Sequence, residues 1–272
     1  MSSDNKPLIM GILNITPDSF SDGGKFTQIP AALSQVAQML ADGADIIDIG
    51  GESTRPGSDA VAADEQIRRV VPIITAIRQQ LQSDITISID TCSSVVAQAA
   101  LAAGANWIND VSAGQTDPAI LTVAAQTGAP IILMHSVGTP KTMQDNPYYD
   151  QVVEEVLSHL QARVAAALAA GISHSQIMLD PGIGFGKRKE DNLALLAHLA
   201  DLVGLGYPVL LGTSRKRFMG SICAVSEPAE LVTATAATTA LGVMAGVQLF
   251  RVHDVKENRQ AADVAFAVKG SY

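Results

Sequence analysis

The sequence predicts an α/β fold, a single (β/α)8 barrel, and three observations predict it. Eight short apolar runs alternate with eight longer helix-like segments. The runs are apolar at successive positions rather than alternate ones, as in a parallel sheet covered on both faces. Nearly every run ends in a polar residue or a glycine, so chemistry collects at one end of the sheet. Length agrees: 272 residues give roughly two domains at about 150 residues each, but also fit one closed barrel. The competing architecture is an open doubly wound sheet, with fewer units and a glycine-rich fingerprint after its first strand. Here the first run leads into NITPDSFSDGG instead.

In chain order the runs cover residues 8–13 ending at Asn14, 45–49 ending at Gly50, 85–89 ending at Asp90, and 107–108 ending at Asn109. They continue with 131–134 ending at His135, 177–179 ending at Asp180, 209–211 ending at Gly212 and Thr213, and 248–250 ending at Arg251. Between them, residues 31–40, 64–80, 95–103, 117–126, 149–169, 192–202, 230–244 and 255–268 hold few helix breakers. Pro72 is the exception and is expected to kink or split the second helix. Gly43, Gly104, Gly128, Gly171 and Gly204 follow helix-like segments, where a left-handed residue stops a helix. One domain is expected over 1–272, with 1–7 (MSSDNKP) a short polar extension that lacks the apolar stretch of a signal peptide. Residues 231–250 carry no charge and reach spanning length, but Thr233, Thr235, Thr238, Thr239 and the alanine content read as a buried helix running into a buried strand. The expectation is a soluble, cytoplasmic protein.

Apolar residues at 47% and charged residues at 17% exclude general disorder, and 4% aromatics leave the core to Ala, Val, Ile and Leu. The net charge of −9 argues against nucleic acid or anionic membranes as partners, so an anionic ligand must meet a local cluster of cations. Cys92 and Cys223 have no CxxC spacing, hence no disulfide framework and no cysteine zinc site.

In a barrel the strand-end residues converge. Asp90, Asn109 and Asp180 would then share a rim. Two carboxylates and a carboxamide over an apolar floor suit a flat, nitrogen-rich heterocycle. A metal site and an acid–base pair are the other readings of the two aspartates. After the seventh run, GTSRKRFMG places Arg215, Lys216 and Arg217 behind Gly212, Thr213 and Ser214, a stretch resembling a backbone anion nest; a solvated basic turn is the alternative. Arg251 and His253, two apart, face the same way and form a second candidate anion clamp. The loops 15–24 and 50–58 are rich in Gly, Pro and Ser, suit lids over the mouth, and include Thr54 and Arg55 as donors. His135 receives no role, and His159, His174 and His198 are expected at the surface.

With these residues in hand, the chain resembles the dihydropteroate synthases of the pterin-binding (β/α)8 family over essentially its whole length. The blocks that carry the resemblance are MGILNITPDSFSDGG (10–24), DIIDIGGESTRPGS (45–58), ISIDT (87–91), INDVSAG (108–114), LMH (133–135), LDPGIGFGK (179–187), SRK (214–216) and RVHDV (251–255). The resemblance implies a transferase of folate biosynthesis. It would join 6-hydroxymethyl-7,8-dihydropterin diphosphate to 4-aminobenzoate, releasing pyrophosphate and 7,8-dihydropteroate. Asp90, Asn109, Asp180, Gly212 and Lys216 would hold the pterin, with Met134, Phe185 and Arg251 packed around its faces. Asn14, Thr54, Arg55, Arg251 and His253 would serve the diphosphate, with Asn14 also near a Mg²⁺. Phe20, Pro56, Lys216 and the start of the following helix at Arg217 would form the 4-aminobenzoate pocket, where sulfonamides bind in the family. Asp90, Asp180, Lys216, Arg251 and His253 are the implied catalytic set. Arg217 stands where the family often has Ser. The resemblance also implies a homodimer built on helices away from the mouth, with the Ala/Thr-rich stretch 231–244 as a candidate face. Two alternatives are a methyltetrahydrofolate:corrinoid methyltransferase-like protein, which shares the Asp/Asn floor but has no diphosphate to manage, and a non-catalytic pterin-binding barrel.

Overall fold

Inward and outward residues alternate along every strand, and that parity decides what each strand contributes. In the computed structural model, which describes residues 6–15, 25–53, 55, 57–81 and 84–271, eight parallel strands form one sheet. They are β1 (Leu8–Asn14), β2 (Ile46–Gly50), β3 (Thr86–Asp90), β4 (Trp107–Asp110), β5 (Ile131–Met134), β6 (Ile177–Asp180), β7 (Leu210–Leu211) and β8 (Leu249–Val252). Their order is β6-β5-β4-β3-β2-β1-β8-β7, and a bridge between Leu179 and Val209 joins β6 to β7, bringing the two ends together into a nearly closed barrel. The helices α1 (Lys25–Ala41), α2 (Ala63–Gln80), α3 (Ser94–Ala102), α4 (Ala119–Thr127), α5 (Val152–Ala169), α6 (Lys189–Ala197), α7 (Leu199–Val203), α8 (Arg217–Cys223), α9 (Val232–Ala245) and α10 (Val255–Lys269) connect them.

Two cores result. Met10, Ile46, Ile132, Met178, Leu210 and Leu249 fill the barrel interior as one buried cluster. The outward residues of the same strands, such as Ile9, Ile47, Ile89, Leu133, Leu179 and Phe250, join a larger core with the helices. This is the physical content of strands that read as apolar on both faces. The register carries the polar inward residues to a common level: Asn14 pairs with Gly50, Gly50 with Asp90, Asp90 with Asn109, and Met134 with Asp180.

The predicted elements are present, with local corrections. α2 runs unbroken through Pro72, because the buried face of Ile73, Ile74 and Ile77 outweighs one missing backbone donor. The helix expected over 192–202 is two, α6 and α7, divided at His198. Gly43, Gly104, Gly128 and Gly171 take positive φ as expected, whereas Gly204 is right-handed and the left-handed residue is Gly206. α8 begins at Arg217, where the resemblance implies a helix start, although its seven residues are too few to show a helical period. The uncharged stretch 231–250 is α9 running into β8, and among the described residues no helix is long and apolar enough to cross a membrane.

Candidate functional site

At the C-terminal ends of the strands lies a cavity of about 810 Å³, lined among others by Asn14, Arg55, Asn109, Met134, Asp180 and Phe185. Gly212, Lys216, Arg217, Arg251 and His253, also assigned here by sequence reading, line it too. The predicted convergence is therefore present: carboxylates and cations meet at one end of the barrel. Asp90 lies against Arg251, beside Asn109 in the strand register. Phe20, Thr54 and Pro56 lie outside the described residues.

The site is a buried alternation of charge. Arg251 donates through Nε to Asp48 Oδ2 at 2.6 Å and through Nη2 to Asp90 Oδ2 at 2.7 Å. Asp48 is fully buried and Asp90 is 5% exposed. Burial pushes the Asp90 carboxyl well above the usual range, Arg251 opposes that rise, and the neighbouring Asp48, Asp110 and Glu52 add to it. The Arg251 guanidinium is held firmly protonated: burial acts against its charge, but Asp48 and Asp90 outweigh burial. Asp180 is likewise raised by burial and restrained by Lys216, the Gly182 N–H, Lys187 and Arg251; its Oδ1 accepts the Gly182 N–H at 2.7 Å. Lys216 donates to the Ile183 carbonyl and lies 4.4 Å from the Phe185 ring centroid. Burial lowers its ammonium to about 8, against the pull of Asp180.

The loop between β6 and α6 can adopt its path only because glycines occupy it. Gly182 and Gly186 have φ of 64° and 62°, and a Cβ at either would lie 1.9 Å from the His135 carbonyl oxygen or 2.6 Å from that of Val137. Lys187, 3% exposed, ties this loop to β5. Its Nζ bonds Gly182 O at 2.9 Å, Phe185 O at 3.1 Å and His135 Nδ1 at 2.8 Å. His135 thus has a place: it is the partner of Lys187, and burial and that ammonium lower it to about 2. His159 is not a plain surface residue, since its ring sits 4.7 Å edge-on to His135 and its Nε2 meets Gln115 at 3.1 Å. His174 and His198 are exposed as expected.

The three consecutive cations part company. Arg215, at φ 58°, lines the cavity but turns its guanidinium to Asp254 with a two-point contact of 3.0 and 2.6 Å, so its charge is already paired. Lys216 points into the mouth, and Arg217 is exposed at the first turn of α8. Ser214 and Thr213 are occupied too: Thr213 meets Thr238 at 2.6 Å, and the Ser214 hydroxyl lies 3.0 Å from His253 Nδ1 while accepting the His253 amide. Burial, then Arg251, Arg215 and Arg55, lower His253 to about 3, so it is a neutral imidazole. The Ser214 hydroxyl, which already accepts the His253 amide, has its proton free to give to Nδ1; in that tautomer Nε2 keeps the proton and is a donor for an anion.

Two buried neutral histidines give an acid-stability prediction. Their folded values lie below the ordinary 6.5, so their contribution is present above pH 6.5 and is lost as pH falls toward about 3 for His253 and about 2 for His135. His135→Asn, which keeps an acceptor for Lys187, is expected to flatten the loss between about pH 6 and 4 by up to about 1.4 kcal/mol per pH unit in urea titrations. An unchanged slope would mean that His135 charges freely in the folded protein.

Two residues of this site escaped sequence reading. Asp48 sits at inward parity inside an apolar run, two residues before the strand end, and that parity was the available signal. Lys187 closes the LDPGIGFGK block, but nothing in its neighbours announces that a lysine there is buried.

Comparison with known proteins agrees with this geometry. Residues 10–253 match the family model described as pterin binding enzyme. The dihydropteroate synthase of Synechocystis sp. is 49% identical over 260 residues, covering 96% of this chain and 89% of that protein. The Yersinia pestis dihydropteroate synthase, solved with a sulfonamide drug complex, superposes with a TM-score of 0.91 at 43% identity, covering 97% of this chain and 95% of that one. The Xanthomonas albilineans dihydropteroate synthase with 4-aminobenzoic acid gives a TM-score of 0.91 at 44% identity, with 97% and 94% covered. With a family model matched over most of its length, the chain belongs to the family of pterin binding enzymes.

Proposed function

We infer that the whole chain, 1–272, works as one pterin-binding barrel that carries out the dihydropteroate synthase reaction of folate biosynthesis. The observation that carries this reading is the meeting of Asn109 and Asp180 with Lys216, Arg251 and His253 at one cavity, with Asp90 bonded to Arg251. Asp180 and Asn109 would accept the N–H groups of the pterin's amino-pyrimidine edge, and Asp90 would offset positive charge on the ring. Met134, Phe185 and Arg251 would pack its faces, Gly212 leaving room beside Asp180, and Lys216 would donate to its carbonyl side.

The carbon–oxygen bond between the pterin methylene and the diphosphate breaks, that methylene carbon bonds the amine nitrogen of 4-aminobenzoate, and the nitrogen sheds one proton to the departing pyrophosphate or to water. Charge separates in between: the ring carries developing positive charge and the leaving group negative. Arg251, His253, Arg55 and Asn14 line the side of the cavity where the leaving group would sit, with Thr54 proposed beside them. No strong general base is assigned, because the weakly basic amine needs mainly placement. Phe20 and Pro56 are proposed with Lys216 and Arg217 as the 4-aminobenzoate pocket, which sulfonamides would share.

The proposed cofactor is Mg²⁺. Among the described residues no group of three or more His, Cys, Asp or Glu could cage a metal ion, while Asn14 offers a carboxamide at the mouth. That donor set fits an ion held chiefly by phosphate oxygens and water. Bound there it would neutralise charge on the departing pyrophosphate.

Pyrophosphate release that requires both substrates and Mg²⁺ tests the reaction; binding of the pterin without release would favour a non-catalytic barrel. Arg217→Ser is expected to raise the KM for 4-aminobenzoate by about two- to fivefold without changing kcat, as for an exposed cation near an anionic ligand. An unchanged KM at low salt would remove Arg217 from the pocket.

The reading includes a homodimer. Leu241 and Met244 on α9 and Val264 and Val268 on α10 are exposed apolar side chains on two helices packed together. Light scattering at micromolar concentration should give twice the chain mass, and a monomer would count against it. The proposed location is the cytoplasm, in keeping with Cys92 and Cys223 as free thiols.

A further inference from the structure

Asp48 lies one inward layer below the strand ends, opposite Ile12 on β1 and Ser88 on β3. Its side chain is fully buried and does not line the cavity. It accepts from Arg251 Nε at 2.6 Å and from Asn109 Nδ2 at 3.2 Å, both on Oδ2, while Oδ1 has no hydrogen-bond partner. All its bonding thus goes to two side chains that do line the cavity. A buried carboxylate is a weak source of stability, so its value lies in the geometry it imposes.

That geometry is directional. An ionised carboxylate only accepts hydrogen bonds. Asn109 must therefore turn its nitrogen down to Asp48, which aims its carbonyl oxygen toward the cavity. The reversed amide would press oxygen against oxygen in a buried place. Arg251 is clasped through Nε by Asp48 and through Nη2 by Asp90, which fixes the guanidinium plane and leaves Nη1 outside the clasp.

We propose that Asp48 is a positioning residue for pterin recognition, turning the Asn109 carbonyl oxygen and the Arg251 guanidinium toward the ligand from beneath. The proposal rests on the pterin diphosphate being the substrate. Asn109 and Asp180 then form a row of acceptors that matches the N–H edge of a 2-amino-pyrimidine. A ring that lacks those N–H groups is rejected because the buried acceptors stay unpaired.

The test is a swap. Asp48→Asn keeps shape but frees the amide at 109 to turn, and is expected to raise the KM for the pterin diphosphate about tenfold or more. The KM for 4-aminobenzoate should stay within about twofold, since this acceptor row does not read it. Asn109→Asp alone sets two carboxylates against each other and is expected to lose more. Asp48→Leu removes the acceptor of both side chains at once and should raise the pterin KM more than Asp48→Asn, whose amide oxygen can still take the bonds that Oδ2 takes. An unchanged pterin KM in Asp48→Leu, or an equal loss for both substrates, would overturn the proposal.

Should the variants not fold, the native protein carries the test without any substrate. Its Asn109 side-chain amide protons, held against a buried carboxylate, should exchange over about hours by NMR, and exchange within seconds would overturn the proposal. Because that reading needs no turnover, a failure of Asp48's role and a failure of the proposed reaction are told apart.

Discussion

Asp180→Asn is expected to lower kcat/KM for the pterin diphosphate by about a hundredfold or more, as when two charge-assisted hydrogen bonds are lost together. Asp180 stands at the end of β6 with Oδ1 taken by the Gly182 N–H, and Oδ2 lies 4.0 Å from where a Cβ on Gly212 would be. The open glycine beside that oxygen leaves the space a flat ring needs. An amide there sets an N–H against the N–H edge of the ring and removes the carboxylate facing Lys216, Lys187 and Arg251. The change is isosteric, so the melting temperature should move little while pterin affinity collapses. Steady-state kinetics with pterin varied, beside calorimetry, separate the two. Unchanged affinity and turnover would mean that Asp180 does not read the ring.

Arg251→Met should be the most destabilising single change in the mouth, by about 3–5 kcal/mol near neutral pH, because it strands Asp48 and Asp90 without their shared cation. Both carboxylates are bonded to it and neither has an exposed face to retreat to. The pH dependence has a definite sign. Burial already raises the folded-state value of Asp90, and without Arg251 it rises further. A raised carboxyl contributes stability that is present below the unfolded value near 3.8 and is lost as pH rises through the folded value. The deficit of the variant should therefore be smallest in mild acid and grow toward and past neutrality. Urea unfolding of both proteins from about pH 5 to 8 measures it. A deficit independent of pH would mean that the pair contributes packing alone. Turnover should be lost as well, since the same guanidinium is proposed to face the departing diphosphate.

Much of this site was legible because a barrel concentrates chemistry where strands stop. Asp90, Asn109, Asp180 and Arg251 each end an apolar run, and parity plus closure brings them together. Asp48 shares that parity but lies one layer deeper, where an apolar run on both sides disguises it. The division of labour among Arg215, Lys216 and Arg217 was illegible for another reason: it depends on a left-handed residue at 215 and on Asp254, 39 positions along the chain. Lys187 and His135 are bound by a contact 52 positions apart, and the three left-handed glycines of the β6–α6 loop make that contact possible. Local pattern gives elements and strand ends, whereas the pairing of buried charges follows only from the closed barrel.

The central claim is that an acceptor row for a fused ring and a cationic trap for its leaving group share one cavity. A crystal structure with 6-hydroxymethylpterin diphosphate bound tests it most directly. The ring edge should lie within hydrogen-bond distance of Asn109 and Asp180, with the diphosphate toward Arg251, His253 and Asn14. A ring bound elsewhere, for instance in the shallower groove beside Asp150 and Leu157, or one lying in the mouth with Asp180 turned away from it, would contradict the account.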